Sequence, residues 1–146
     1  MSSTVTREMR PSTRRGLPGG SSASSMASGA VGIVLLVIGI VAVARAGLGD
    51  LTDPAVTVGP FTRTPLFGLI EIALGAVAMA TAADRDVRSA STLAVITGVA
   101  GIVWLIEPNA FAGLLGMTGA TGVLYVLVAV ALLVGVAIDS RRRVVT

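Results

Sequence analysis

The chain alternates between long apolar runs and short polar breaks. Four runs stand out, at about 27–44, 65–83, 89–106 and 119–138, the last with its core over Val123–Ile138. A helix needs about 20 predominantly apolar residues to cross the hydrocarbon of a bilayer, and each run approaches that length. The breaks hold residues that end helices. Between runs one and two lie Gly47, Gly49, Asp50, Asp53, Pro54, Gly59 and Pro60, with Val56-Thr57-Val58 as a short extended piece. Asp84–Arg88 is a charged turn that makes runs two and three antiparallel neighbours, and Ser89, Ser91 and Thr92 are suitable N-caps for run three. The pattern predicts an all-α integral membrane protein, a four-helix bundle running up-down-up-down over residues 27–138. Residues 1–26 are rich in Ser, Thr, Gly, Pro and Arg and read as a disordered tail, and 139–146 as a short basic tail.

Run two carries a single charge, Glu71. An ionised side chain at the centre of a span costs roughly 2.5–3.5 kcal/mol on insertion scales, so Glu71 is expected to face protein. At helical spacing Phe67, Gly68, Gly75, Ala78 and Ala82 share its side, and Leu66, Leu69, Ala73 and Val77 form the opposite one. Tyr125 lies at a similar depth in run four, on a face with Gly122, Ala129 and Leu132. A buried hydroxyl and a buried carboxylate each need a partner. Glu71 and Tyr125 are therefore the candidate intramembrane polar site, each satisfying the other. Arg45, Arg63 and Glu107 are expected as charges on the opposite rim from the termini. Glu107 sits at a helix C-terminus, where the dipole disfavours it, and a rim pair with either arginine contributes at most about 1 kcal/mol. Trp104 suits an interfacial aromatic belt.

Charge sets the orientation. All eleven basic residues are arginine, and nine of them fall on one side: Arg7, Arg10, Arg14, Arg15, Arg85, Arg88, Arg141, Arg142 and Arg143. Only Arg45 and Arg63 fall on the other. Positive residues favour the cytoplasm, so both termini are expected inside a plasma (inner) membrane, with Arg14, Arg15, Arg85, Arg88 and Arg141–Arg143 as topology anchors. The last three also suit anionic lipid.

Composition removes several function classes. Hydrophobic residues make up 53% and charged residues 13%, and the mean hydropathy is +0.88. Lipid, not water, must cover much of that surface. With no cysteine and no histidine, thiolate sites, disulfides and the commonest general base and metal ligand are gone. Gly113, Gly116, Gly119 and Gly122 are spaced by three, yet no basic residue lies near enough for a phosphate cradle. Residues 109–122 read instead as a partly helical cap on the membrane surface. The expectation is a non-enzyme without cofactor or metal. Its partner is the bilayer, with other membrane proteins or a second copy as further candidates. The pI near 11 does not argue for nucleic acid, because the arginines flank the spans.

Two alternatives stay open. Thr13–Leu17 contains a twin arginine, and Ala42-Val43-Ala44 suits a signal peptidase; cleavage there leaves three spans. Pro18, Gly19, Gly20 and a serine-rich spacer separate that arginine pair from the apolar run, which favours a retained first helix. Gly29–Val34 also echoes Gly98–Val103, either as two similar hairpins or as chance likeness between Gly/Val/Ile helices. Ser28 and Gly32 form a small-xxx-small pair, read as tight packing within one subunit.

At Thr64–Gly75 and Gly122–Gly135 the chain resembles a family of small four-span actinobacterial membrane proteins of unknown function. That family carries an NPLHNLVHLLLG-type motif in span two and a DNVLHLVLA-type motif in span four. Pro65, Leu66, Leu69 and Gly75 agree, whereas Phe67, Glu71 and Tyr125 stand where the family has histidine. The DoxX-like proteins, associated with quinone-linked oxidation, share only the layout. The resemblance implies a fold and a membrane address, with no activity. The functional expectation is a structural or interaction component of the cell envelope. The alternative is a small proton-linked transporter or quinone-related redox accessory using Glu71.

Overall fold

The computed structural model describes residues 22–53, 55–107, 115, 116 and 118–144, with the side chain of Arg143 outside that set. The tail arginines Arg14 and Arg15, and half of the expected cap over 109–122, also lie outside the described residues.

Four helices dominate: α1 (Ala23–Ala46), α2 (Pro65–Asp84), α3 (Val87–Ile106) and α4 (Gly119–Val144). Each is long and apolar enough to cross a membrane. Their ends follow local chemistry. Ser22 caps α1 by accepting from the Ser25 amide, and Gly47, at φ +78°, ends it. Thr64 caps α2 with Pro65 in its first turn, where the missing amide hydrogen costs nothing. Asp86 caps α3 through the amides of Arg88 and Ser89. Arg85, the residue between α2 and that cap, takes the left-handed conformation at φ 54°.

Several expected boundaries move. The tail read over 1–26 gives way to helix at Ala23, because Ser22 supplies a cap. Helix α3 starts at Val87, since Asp86 caps better than the serines that follow. Helix α4 runs through most of the basic tail, as nothing after Asp139 breaks it. The extended piece at 56–58 is real and has a partner: β1 (Val56–Val58) pairs antiparallel with β2 (Phe61–Arg63). Their two-residue turn places Gly59 at φ +61°, the positive angle that the first turn position of a II′ hairpin requires.

Helix α1 packs along α2, α3 along α4, and α1 also lies against α4; α2 and α3 barely touch. The charged turn therefore joins antiparallel neighbours, as its shortness suggests, but loosely packed ones that wall a common cleft. Chain connection is local, whereas packing goes where the small residues are. A Cβ on Gly39 would stand 2.5 Å from the Gly68 carbonyl oxygen, and one on Gly75 would stand 2.9 Å from that of Gly32. These glycines bring the backbones of α1 and α2 into direct contact, as small residues do between apolar helices. Gly101 and Gly122 do the same for α3 and α4. The two antiparallel pairs share a register: Gly29 faces Ala82 as Gly98 faces Ala129, and Gly32 faces Gly75 as Gly101 faces Gly122. The sequence echo thus marks equivalent contact points.

The end of the bundle that holds the start of α1 is clasped. Asp139 of α4 accepts from the Ala23 amide at 2.9 Å, and from the amide and hydroxyl of Ser24. The Ser25 hydroxyl donates to the Ala82 carbonyl at 2.6 Å. At the other end the hairpin is tied down by Arg45, whose Nη1 donates to the Thr57 carbonyl at 2.9 Å. The core between holds Leu35, Phe67, Tyr125 and Leu132. Large apolar residues such as Val37, Val77, Val99 and Leu127 remain exposed on the outside.

Candidate functional site

Glu71 is fully buried, at 0% exposure, on the face of α2 that also buries Phe67, Gly68, Gly75 and Ala78. Leu69, Ala73 and Val77 point outward. That rotation agrees with the helical spacing. Its partner is not the expected one. Arg63 Nε donates to Glu71 Oε1 at 3.0 Å, and both side chains are wholly inaccessible.

Arg63, expected at the rim, lies instead in the core. It is the last residue of β2, and the Thr64 cap and Pro65 start α2 immediately after it. Phe61 and Arg63 alternate onto the same side of that strand, as residues two apart do. The guanidinium lies between two rings, 4.8 Å from the centroid of Phe61 and 4.9 Å from that of Phe67. Such placements favour a cation once water is excluded. Its Nη1 also donates to the Thr62 carbonyl at 3.0 Å and to Thr121 Oγ1 at 2.8 Å. Thr121 stands one turn before Tyr125 on α4, so the arginine links hairpin, α2 and α4.

Tyr125 is 1% exposed, and its hydroxyl has no hydrogen-bond partner among the described residues, nor does Glu71 Oε2 or Arg63 Nη2. The expected Glu71–Tyr125 hydrogen bond does not form; Arg63 takes Glu71 Oε1 in a charge-assisted bond. Tyr125 is held by its ring. Trp104 meets it edge-on at 4.8 Å and meets Phe67 edge-on at 5.5 Å. Trp104, half-buried near the end of α3, therefore packs against the core's aromatic cluster.

The other charges separate. Arg45 is exposed and serves the hairpin. Glu107 is exposed at the C-cap of α3 and makes no ion pair among the described residues, so the expected rim pair does not form. Arg85, Arg88, Arg141 and Arg142 are all exposed at the clasped end. Two carboxyls outside the helices are held below the ordinary range by hydrogen bonds. For Asp86 the Ser89 hydroxyl is the main donor, and for Asp50 the Thr52 amide. No group of three or more acidic residues able to hold a metal occurs among the described residues.

Chemically the site is a closed, net-neutral ion pair walled by aromatic rings. The pairing explains how one carboxylate is tolerated in an apolar helix: Arg63 enters with it. The signal for this in the sequence is Phe61-Thr62-Arg63, an arginine alternating with an aromatic just before a Thr-Pro helix start. No family model matches the chain, and no curated protein or solved structure does so either.

Proposed function

We propose that the chain is a multi-pass protein of the plasma (inner) membrane with a structural or interaction role in the cell envelope. The observation that carries this reading is the closed Arg63–Glu71 pair. Its carboxylate is bound to an arginine, both are wholly buried, and the guanidinium lies between Phe61 and Phe67 and donates to Thr121. A carboxylate that moves protons or substrate needs access, and this one has none. Its role is to fasten the hairpin onto the bundle.

The topology runs up-down-up-down with both termini cytoplasmic, supported by the excess of arginine at the clasped end. The chain has no cysteine, so single cysteines report sidedness cleanly. One replacing Asp53 labels with an impermeant thiol reagent in intact cells, and one replacing Ser140 does not.

The second reading, a proton-linked carrier or quinone-related redox accessory, has one observation in its favour: Glu71 Oε2 and the Tyr125 hydroxyl are buried without partners among the described residues. Vesicles reconstituted with the full chain and loaded with a pH-sensitive dye separate the two. The structural reading expects proton leakage equal to that of empty vesicles. A flux lost in Glu71→Gln, with the fold retained, would replace it.

A further inference from the structure

Helices α2 and α3 pack loosely and leave a cleft of about 430 Å³ between them, next to their connecting turn. That is the size of many small-molecule sites. Its walls carry Val77, Leu93 and Ile96 together with Thr81, Ser89 and Thr92. The hydroxyls are already used: Thr81 donates to the Val77 carbonyl at 2.9 Å, Thr92 to the Arg88 carbonyl at 3.1 Å, and Ser89 to Asp86 at 2.6 Å. What the walls offer is therefore hydrocarbon. At one end stand two opposite charges, Asp84 and Arg88, both exposed. Neither side chain has an ion pair or hydrogen bond among the described residues, although the charge of Arg88 also acts on Asp86.

We propose that this cleft binds a phospholipid whose headgroup carries both a phosphate and a primary amine. The proposal rests on the membrane reading of the chain. Between two spans the cleft opens sideways into acyl chains, and a hydrocarbon-walled gap there takes one of them. The charges select the headgroup. Arg88 offers paired N–H donors to a phosphate, and Asp84 accepts from an ammonium. A net-neutral pair gives no general preference for anionic lipid, and a quaternary amine has no hydrogen to give Asp84. The groove between α1 and α4 provides contrast. It is lined by Ala30, Val31, Val34, Leu127, Val128 and Ala131, with no charge at all, and has no means of choosing a headgroup.

The test uses the full chain in mild detergent, with phosphatidylethanolamine, phosphatidylglycerol or phosphatidylcholine added. Native mass spectrometry counts bound lipid, and Trp104 fluorescence follows thermal unfolding. Phosphatidylethanolamine is expected to give one retained adduct and a rise in Tm about 3 °C larger than either other lipid. Asp84→Asn and Arg88→Gln each abolish that preference, and Ala80→Phe, which fills the cleft from an exposed position, removes the adduct. Equal responses to the three lipids, or an adduct surviving Ala80→Phe, overturn the proposal. Extraction of cell membranes with alkaline carbonate separates the two levels. Release of the chain defeats the membrane reading and the lipid site together. Retention with no lipid preference defeats the site alone.

Discussion

Replacing Glu71 by Gln removes one charge and nearly no volume. The amide cannot neutralise Arg63, whose guanidinium sits at 0% exposure between two phenyl rings. Guanidinium keeps its proton at any working pH, so the variant buries a lone cation. Breaking a buried pair in this way costs about 3–5 kcal/mol. For a chain of this size that lowers Tm by roughly 6–20 °C. The reverse change, Arg63→Met, behaves differently. A lone buried carboxyl can take up a proton and stay neutral. The cost of Arg63→Met should therefore shrink as pH falls, whereas the cost of Glu71→Gln should not. Arg63→Met/Glu71→Met removes both charges, and such replacements are often neutral or stabilising by about 1–4 kcal/mol. Trp104 is the only tryptophan and lies edge-on to Phe67 and Tyr125, so its emission reports the site directly. Thermal unfolding of these proteins and of Glu71→Met in detergent at two pH values completes the cycle. Additive single effects under about 1 kcal/mol would mean a solvated pair of the rim type, and Arg63 would then not be a buried cation that depends on Glu71.

Three smaller tests address the scaffold. Gly39→Ala places a methyl 2.5 Å from the Gly68 carbonyl oxygen and should cost about 1–3 kcal/mol by forcing α1 off α2; Gly49→Ala meets nothing within 4 Å and should leave the melting curve unchanged. Asp139→Ala strips the acceptor from Ala23 and Ser24 and should cost about 0.5–2 kcal/mol, the range of a lost helix cap, seen as faster amide exchange at the start of α1. Asp86 titrates below the ordinary aspartate value in the folded chain, so its contribution is complete above about pH 3.9 and fades as pH falls through the folded value. Wild type and Asp86→Asn should accordingly converge in Tm on acidification; a gap that widens instead contradicts the cap.

The apolar runs sufficed to locate four helices, because a span must be both long and unbroken, and those two properties are visible in one dimension. The rotation of α2 was equally legible, since a single carboxylate and a column of small residues mark one side of a 3.6-residue period. The end of the first tail was not, because a serine that caps a helix looks like any other serine in a serine-rich stretch. The partner of Glu71 was also hidden. Arg63 precedes the helix, and the alternation Phe61-Thr62-Arg63 is too short a signal, in a connector with Gly and Pro, to reveal a strand that folds back and drives an arginine inward. Helix neighbours were decided in three dimensions as well. The turn at 84–88 made α2 and α3 neighbours, but close packing depends on glycine meeting glycine. Gly32, Gly39, Gly68 and Gly75 commit α1 to α2, Gly101 and Gly122 commit α3 to α4, and the cleft opens where no such match exists.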